Sequence, residues 1–172
     1  GKVTHTVARL PLVEGLPTGN DAVTTGVRRI EWRNDAPATL VWAEAQDGGD
    51  PARAATIRDA VFVQAAPFER PPVTLAQLGS RYAGITWANG GLALLDEYWW
   101  KTRQVKQWKI APDHPEQAPV LLHARSEDDR YGDPGEPLLQ ADDGGRARLQ
   151  LSADGSAFYR IGDGASPEGD RP

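Results

Sequence analysis

Residues 96–103 carry the side chains of this sequence that are best suited to bind a charged ligand. The segment reads Asp-Glu-Tyr-Trp-Trp-Lys-Thr-Arg, so aromatic rings stand beside the cations Lys101 and Arg103. An arginine binds a carboxylate through two parallel hydrogen bonds. We interpret Arg103 and Lys101 as candidate substrate-binding residues. The alternative is structural: Trp99 and Trp100 pack between units of the fold, and the cations are solvated or stacked on the rings.

No residue of the sequence is predicted to be catalytic. A serine hydrolase of the α/β type needs a Gly-x-Ser-x-Gly turn between a strand and a helix. Ser156 follows a glycine and Ser166 follows Gly164-Ala165, but neither has the second glycine or a helical pattern after it. We interpret both serines as turn residues.

The sequence predicts no metal site and no cofactor. Its histidines, His5, His114 and His123, lack the spacing of metal ligands, and it contains no cysteine. No glycine-rich loop that could hold a phosphate precedes a helix. The carboxylate-rich segments 47–50 and 142–145 lack the twelve-residue calcium pattern, so we interpret them as hairpin turns.

The composition favours many short strands joined by turns. The 172 residues include 18 glycines and 14 prolines, which break helix interiors, and six tryptophans, which suit half-buried strands. A net charge of -5 disfavours a nucleic-acid or anionic-membrane partner. No apolar run approaches the ~18–20 residues of a membrane span.

A unit of short strands starts three times along the chain. The starts at Ile30, Ile85 and Leu149 each begin a short apolar strand, a polar turn and a second strand. The Asn89-Gly90 pair is a strong hairpin signal. The predicted strands cover residues 27–32, 39–45, 60–66, 73–78, 85–87, 92–99, 103–110, 119–124, 149–151 and 157–161, and residues 127–136 form an insertion.

The repeat predicts an all-β fold, a partial β-propeller of about two and a half to three four-stranded antiparallel blades. We assign the units to residues 27–80, 81–126 and 136–172, after an irregular lead-in over 1–26. A single β-sandwich is the alternative, because periodicity alone does not exclude it.

Several segments resemble the propeller of the prolyl oligopeptidase family of serine peptidases. Residues 149–159, with Ser152-Ala153-Asp154-Gly155 between two strands, resemble that family's blade motif, with alanine in place of the usual proline. Residues 28–42, their continuation over 44–51, and residues 84–103 are similar to its glutamyl endopeptidase branch, found in plant chloroplasts and bacteria.

This resemblance implies a parent protein with a propeller and a separate α/β-hydrolase domain that holds Ser, Asp and His. The propeller would gate the active site by size and help to position a peptide substrate. The glutamyl endopeptidase branch implies cleavage after glutamate, with Arg103 and Lys101 as candidate contacts. Both chain ends look cut, so we expect an excised segment. Because arginine outnumbers lysine, we expect a bacterial parent, in the periplasm or the cytoplasm.

Two other functions remain open at this point. One is a stand-alone propeller-type protein-binding module, and the other is a carbohydrate-binding or cell-surface domain, suggested by the six tryptophans. Three units cannot close a propeller, which needs about four to eight blades. We therefore expect the isolated fragment to self-associate through open apolar faces and strand edges.

Overall fold

The first sheet is built from four consecutive strands. In this computed structural model, which describes residues 2–3, 5–9 and 17–169, strands β1 (Arg28–Trp32), β2 (Thr39–Ala45), β3 (Asp59–Ala65) and β4 (Val73–Leu78) pair antiparallel in the order β1-β2-β3-β4. A β-bulge interrupts the β1–β2 register between Arg28 and Glu31.

The second sheet repeats this arrangement. Strands β5 (Arg81–Asn89), β6 (Leu92–Trp99), β7 (Gln104–Ile110) and β8 (Val120–Ser126) pair antiparallel in the order β5-β6-β7-β8. The predicted turn at Asn89-Gly90 joins β5 to β6, where the Asn89 side chain accepts a hydrogen bond from the Gly91 N–H at 2.9 Å. A short 3-10 turn, Trp100–Thr102, joins β6 to β7.

The third unit has short two-stranded ribbons where we expected a four-stranded blade. Strand β9 (Glu136–Pro137) pairs with β12 (Arg160–Ile161), and β10 (Leu139–Ala141) pairs with β11 (Ala147–Leu149). Proline has no N–H to donate to a sheet, so Pro137 limits the first ribbon to an edge pairing.

The two large sheets stack face to face around the main apolar core. Because side chains alternate along a strand, β2 and β3 direct Val41, Ala43, Val61 and Val63 to one face. The facing side of the second sheet supplies Tyr82, Trp87, Ala93, Leu95 and Ile110 to the same core. Burial of this apolar surface is the main force that holds the sheets together.

The third unit covers the opposite face of the second sheet. Leu149 is buried together with Ala88 and Leu94, and Leu92, Leu151 and Phe158 pack around them. The second sheet therefore lies between two neighbours, as a middle blade does.

This arrangement confirms the predicted all-β fold with four-stranded antiparallel sheets of the propeller type. Each large sheet consists of four consecutive strands, whereas an immunoglobulin-type sandwich distributes its strands between sheets by Greek-key connections. Among the described residues, no helix has the length and apolar character to cross a membrane.

Candidate functional site

Lys101 lies at the tip between β6 and β7, as the sequence predicts. Asp21 holds the tip in place. Its carboxylate accepts hydrogen bonds from the backbone N–H groups of Trp100, at 3.0 Å, and of Lys101, at 3.3 Å. The Lys101 side chain is exposed and forms no ion pair within the part of the chain that the structure describes. Its ammonium group is therefore available to a ligand.

Arg103 lies outside the strand in which we expected it. Strand β7 begins at Gln104, and Arg103 has a left-handed backbone with φ 55°, because its N–H closes the 3-10 turn onto the Trp100 carbonyl oxygen at 3.1 Å. The guanidinium lies 2.6 Å from the Glu127 carboxylate and 3.6 Å from that of Asp128. A substrate carboxylate would have to displace Glu127, so the assignment of Arg103 stays a prediction.

The two tryptophans at this tip have different environments. Trp99 is partly buried between the large sheets, where the Arg58 guanidinium lies 4.1 Å from its ring centroid and that of Arg81 lies at 5.9 Å. Trp100 is exposed. The structural interpretation therefore holds for Trp99, although the cations stacked on its ring are Arg58, which precedes β3, and Arg81, which begins β5, and not the expected Lys101 and Arg103.

A buried network of ion pairs joins the large sheets at the same end. Arg81, the first residue of β5, forms two parallel hydrogen bonds with Asp47, at 2.9 and 2.8 Å, and a third with Asp59 at 3.0 Å. The Asp59 carboxylate also accepts hydrogen bonds from the Arg28 guanidinium and from the Tyr82 backbone N–H. The segment at Asp47, which we interpreted only as a hairpin turn, thus supplies a main connection between the sheets.

The network holds Asp47 in its ionised form. Burial alone would raise the pKa of the Asp47 carboxyl, but the hydrogen bonds and charges of Arg81 and Arg58, with the Gly49 N–H, outweigh burial and lower its pKa below the usual 3.8. The hydrogen bonds that the Asp47 carboxylate accepts compensate for its removal from water. A buried network that is hydrogen-bonded in this way is suited to hold the two sheets in one relative position.

A second polar cluster lies between the middle sheet and the third unit. Asp96, Gln107 and His123 are neighbours in one cross-strand row of β6, β7 and β8. The Gln107 amide donates a hydrogen bond to the Asp96 carboxylate at 2.8 Å. Its oxygen accepts a hydrogen bond from Arg160, which lies in β12 of the third unit. Together they line a cavity of about 230 Å³.

Burial changes the protonation equilibria in this cavity. It raises the pKa of Asp96, an effect that Gln107 and Arg160 only partly offset, and it lowers the pKa of Arg160. Burial and the charges of Arg160 and Arg125 lower the pKa of His123. This cluster was not predicted from the sequence, although the alternation of His123 and Arg125 along β8 was a local signal of a polar face.

The other residues singled out in the sequence have local roles. Asp154 accepts hydrogen bonds from the hydroxyl groups of Ser152 and Ser156, at 2.6 and 2.8 Å, which fits the predicted turn. His114 lies in a loop, 3.3 Å from Glu116. Within residues 2–3, 5–9 and 17–169, no group of three or more His, Asp or Glu side chains could hold a metal ion.

Comparison with known proteins finds two similar plant sequences. The chain is 39% identical over 178 residues to a protein of Arabidopsis thaliana named "Probable glutamyl endopeptidase, chloroplastic". It is 38% identical over 177 residues to a protein of the same name from Oryza sativa subsp. japonica. Both alignments cover 100% of this chain but 18% and 19% of the relatives' lengths.

Two further comparisons give no match: no family model matches the chain, and no solved structure does. Because both relatives are plant proteins, the comparison does not support the bacterial origin that we expected from the arginine content.

Proposed function

We propose that this chain, which is similar along its whole length to proteins named glutamyl endopeptidase, is a propeller segment of a serine peptidase. In this role it gates access to a separate α/β-hydrolase domain and helps to position the peptide substrate. The observation that carries the proposal is the similarity along the whole chain to about a fifth of two proteins with that name.

The stacking of the sheets supports a gating role. A gate that selects by size needs a rigid wall, and buried ion pairs with complete hydrogen bonding restrict how two elements move against each other. Arg81, Asp47 and Asp59 form such a connection at one end of the interface. At the opposite end, the buried Arg33 donates to the buried Asp35 carboxylate at 2.8 Å and, across the interface, to the exposed Asp113 carboxylate at 2.9 Å.

Cleavage after glutamate is part of the same proposal. The relatives are named glutamyl endopeptidases, and a glutamate side chain requires a cationic contact. The ammonium group of Lys101 at the tip forms no ion pair with any described residue, and Arg103 would contribute if the substrate displaced Glu127.

The proposal is tested on the longer protein that contains this chain. A fluorophosphonate probe, which reacts with activated serines, should label that protein. A short peptide, a long unfolded chain and a folded protein that share one glutamate-containing cleavage sequence are then compared as substrates. We expect cleavage of the peptide and little or none of the folded protein.

A variant without the propeller provides the decisive comparison. It should cleave the folded or long substrate at least about tenfold faster relative to the short peptide, a change of about 1.4 kcal/mol in relative barrier. An unchanged size preference would contradict gating, and a lack of labelling and cleavage would contradict the peptidase assignment.

A further inference from the structure

Strands β1 and β5 form a cleft at the edge where the two large sheets adjoin. They are the first strands of their sheets, and in the part of the chain that the structure describes each pairs on one side only. Two hydrogen bonds join them: Tyr82 Oη donates to Glu31 at 3.1 Å, and Arg29 Nη1 donates to the Ala83 carbonyl oxygen at 2.7 Å. The cleft has a volume of about 360 Å³ and is lined by residues 29–31 and 82–85.

The bulge in β1 sends two consecutive arginines in different directions. Arg29 has φ 50°, a left-handed backbone that is uncommon for a residue with a side chain. Arg28 turns inward to the buried carboxylate of Asp59, whereas Arg29 is exposed at the cleft. Bulges and strained backbone of this kind often re-aim side chains near functional sites.

Arg29 differs from the interface arginines in its charge balance. Arg28, Arg33, Arg58 and Arg81 all pair with aspartates. Within the described residues Arg29 donates its hydrogen bond to the neutral Ala83 carbonyl and forms no ion pair, so the guanidinium is held in place without a carboxylate bonded to it. Its remaining N–H groups are suited to a carboxylate.

The other walls of the cleft suit a peptide. Ile30 is 44% exposed and Ile85 is partly buried, so both present apolar surface beside the cation. Glu31 offers an acceptor for peptide N–H groups, and its negative charge disfavours ligands with several carboxylates. A peptide with one carboxylate and free backbone N–H groups suits this cleft, because the carboxylate can pair with Arg29 while the N–H groups donate to Glu31.

We propose that the β1–β5 cleft binds an extended peptide and that Arg29 contacts a glutamate side chain of that peptide. This inference rests on the proposed function, because it assigns a residue to the recognition of the same substrate. It differs from the assignment of Arg103, whose guanidinium is already paired with Glu127.

The inference is tested first by binding to this 172-residue chain. Titration calorimetry compares a pentapeptide that has one central glutamate with the same peptide carrying glutamine. We expect the glutamate peptide to bind about tenfold more tightly. Arg29→Gln should abolish that difference, Arg29→Lys should keep part of it, and Arg130→Gln, which changes an exposed arginine outside the cleft, should keep all of it.

Equal binding of the two peptides, no binding of either, or an equal effect of Arg29→Gln and Arg130→Gln would overturn the assignment. Circular dichroism and urea unfolding of each variant verify that the fold is retained. In the longer protein, cleavage after glutamate with no specific effect of Arg29→Gln would overturn this inference and leave the proposed function intact. A longer protein with no peptidase activity would overturn the proposed function. The titration on the chain would still show whether the cleft binds a glutamate peptide through Arg29.

Discussion

Arg81 and Asp47 form a two-pronged ion pair between different sheets, with Nη1 2.9 Å from Oδ1 and Nη2 2.8 Å from Oδ2. Both side chains are buried, and Asp59 and Arg58 extend the network on either side. Breaking one partner of such a pair leaves an uncompensated buried charge, whose cost exceeds that of losing both partners. The pair is thus a sensitive point of the interface between the sheets.

We predict that Asp47→Ala lowers the free energy of unfolding by ~3–5 kcal/mol, because it removes two of the three carboxylate hydrogen bonds of the buried Arg81 and leaves Asp59 to balance both Arg28 and Arg81. Urea unfolding of Asp47→Ala, Arg81→Ala and the double variant gives the coupling energy. Glu127→Gln is the control, since its pair with Arg103 is about half exposed and should contribute under ~1 kcal/mol. Additive losses in the double variant would contradict direct coupling.

We predict that the contribution of Asp47 to stability disappears in acid. Its folded pKa lies below the usual 3.8, so the ionised form stabilises the fold above about that pH. The stability is lost as the pH falls through the folded pKa. The stability difference between the protein and Asp47→Asn should therefore be constant from pH 7 to 5 and shrink below pH ~4. A difference that stays constant down to pH 2 would show that ionisation of Asp47 is irrelevant.

We predict the opposite trend for Asp96. Burial raises its pKa, so the ionised form costs stability as the pH rises above 3.8 through the folded pKa. Asp96→Asn keeps an oxygen for the hydrogen bond from Gln107 and should raise the unfolding free energy at pH 7 by up to about 1 kcal/mol. Urea unfolding at pH 7 and pH 4 measures this gain, which should vanish at pH 4. A loss of stability at pH 7 would contradict the burial effect.

We predict that Gly49→Ala is much more destabilising than Gly145→Ala. Both glycines have φ 75°, so both substitutions carry the same backbone strain. A Cβ on Gly49 would overlap the Val23 carbonyl oxygen, whereas one on Gly145 would meet nothing within 4 Å. We expect a loss of about 1 kcal/mol for Gly145→Ala and at least ~2 kcal/mol more for Gly49→Ala in thermal or urea unfolding. Equal losses would mean that the Val23 segment moves freely.

We predict that the isolated chain self-associates. Leu139, Tyr159 and Ile161 in the third unit are 48%, 48% and 65% exposed, and such apolar surface favours association. Multi-angle light scattering should show a species larger than the monomer. Ile161→Lys should weaken the association, whereas Val3→Lys, at an exposed site near the chain start, should not. A monodisperse monomer of the unchanged chain would contradict this prediction.

The strand pattern could be predicted closely where alternation and turn residues agree. Strands over residues 39–45, 73–78 and 92–99 have the predicted bounds. Strand β5 was predicted only over 85–87 but begins at Arg81, because the interface buries the polar side chains of Arg81 and Tyr82, which the sequence pattern did not mark as part of a strand. Strand β9 was not predicted, because Pro137 argues against a strand unless a partner such as β12 is known.

The candidate site was predictable only in part. The aromatic and cationic tip at Lys101 lies where the sequence places it, since a short polar segment between two apolar strands must form a turn. The cleft at Arg29 could not be predicted from the sequence pattern, because β1 and β5 are more than 50 residues apart in sequence and meet only when the sheets stack.

The local structure of this protein follows from its amino-acid pattern. Side-chain alternation, glycines and prolines act over a few residues, so they define strands, turns and the all-β class without knowledge of the rest of the chain. Which charges meet depends instead on how the sheets stack. Asp47 and Arg81 are 34 residues apart, and an electrostatic contact depends on distance in space and on burial. For that reason Asp47 became part of a buried network while Arg29 stayed exposed and unpaired among the described residues.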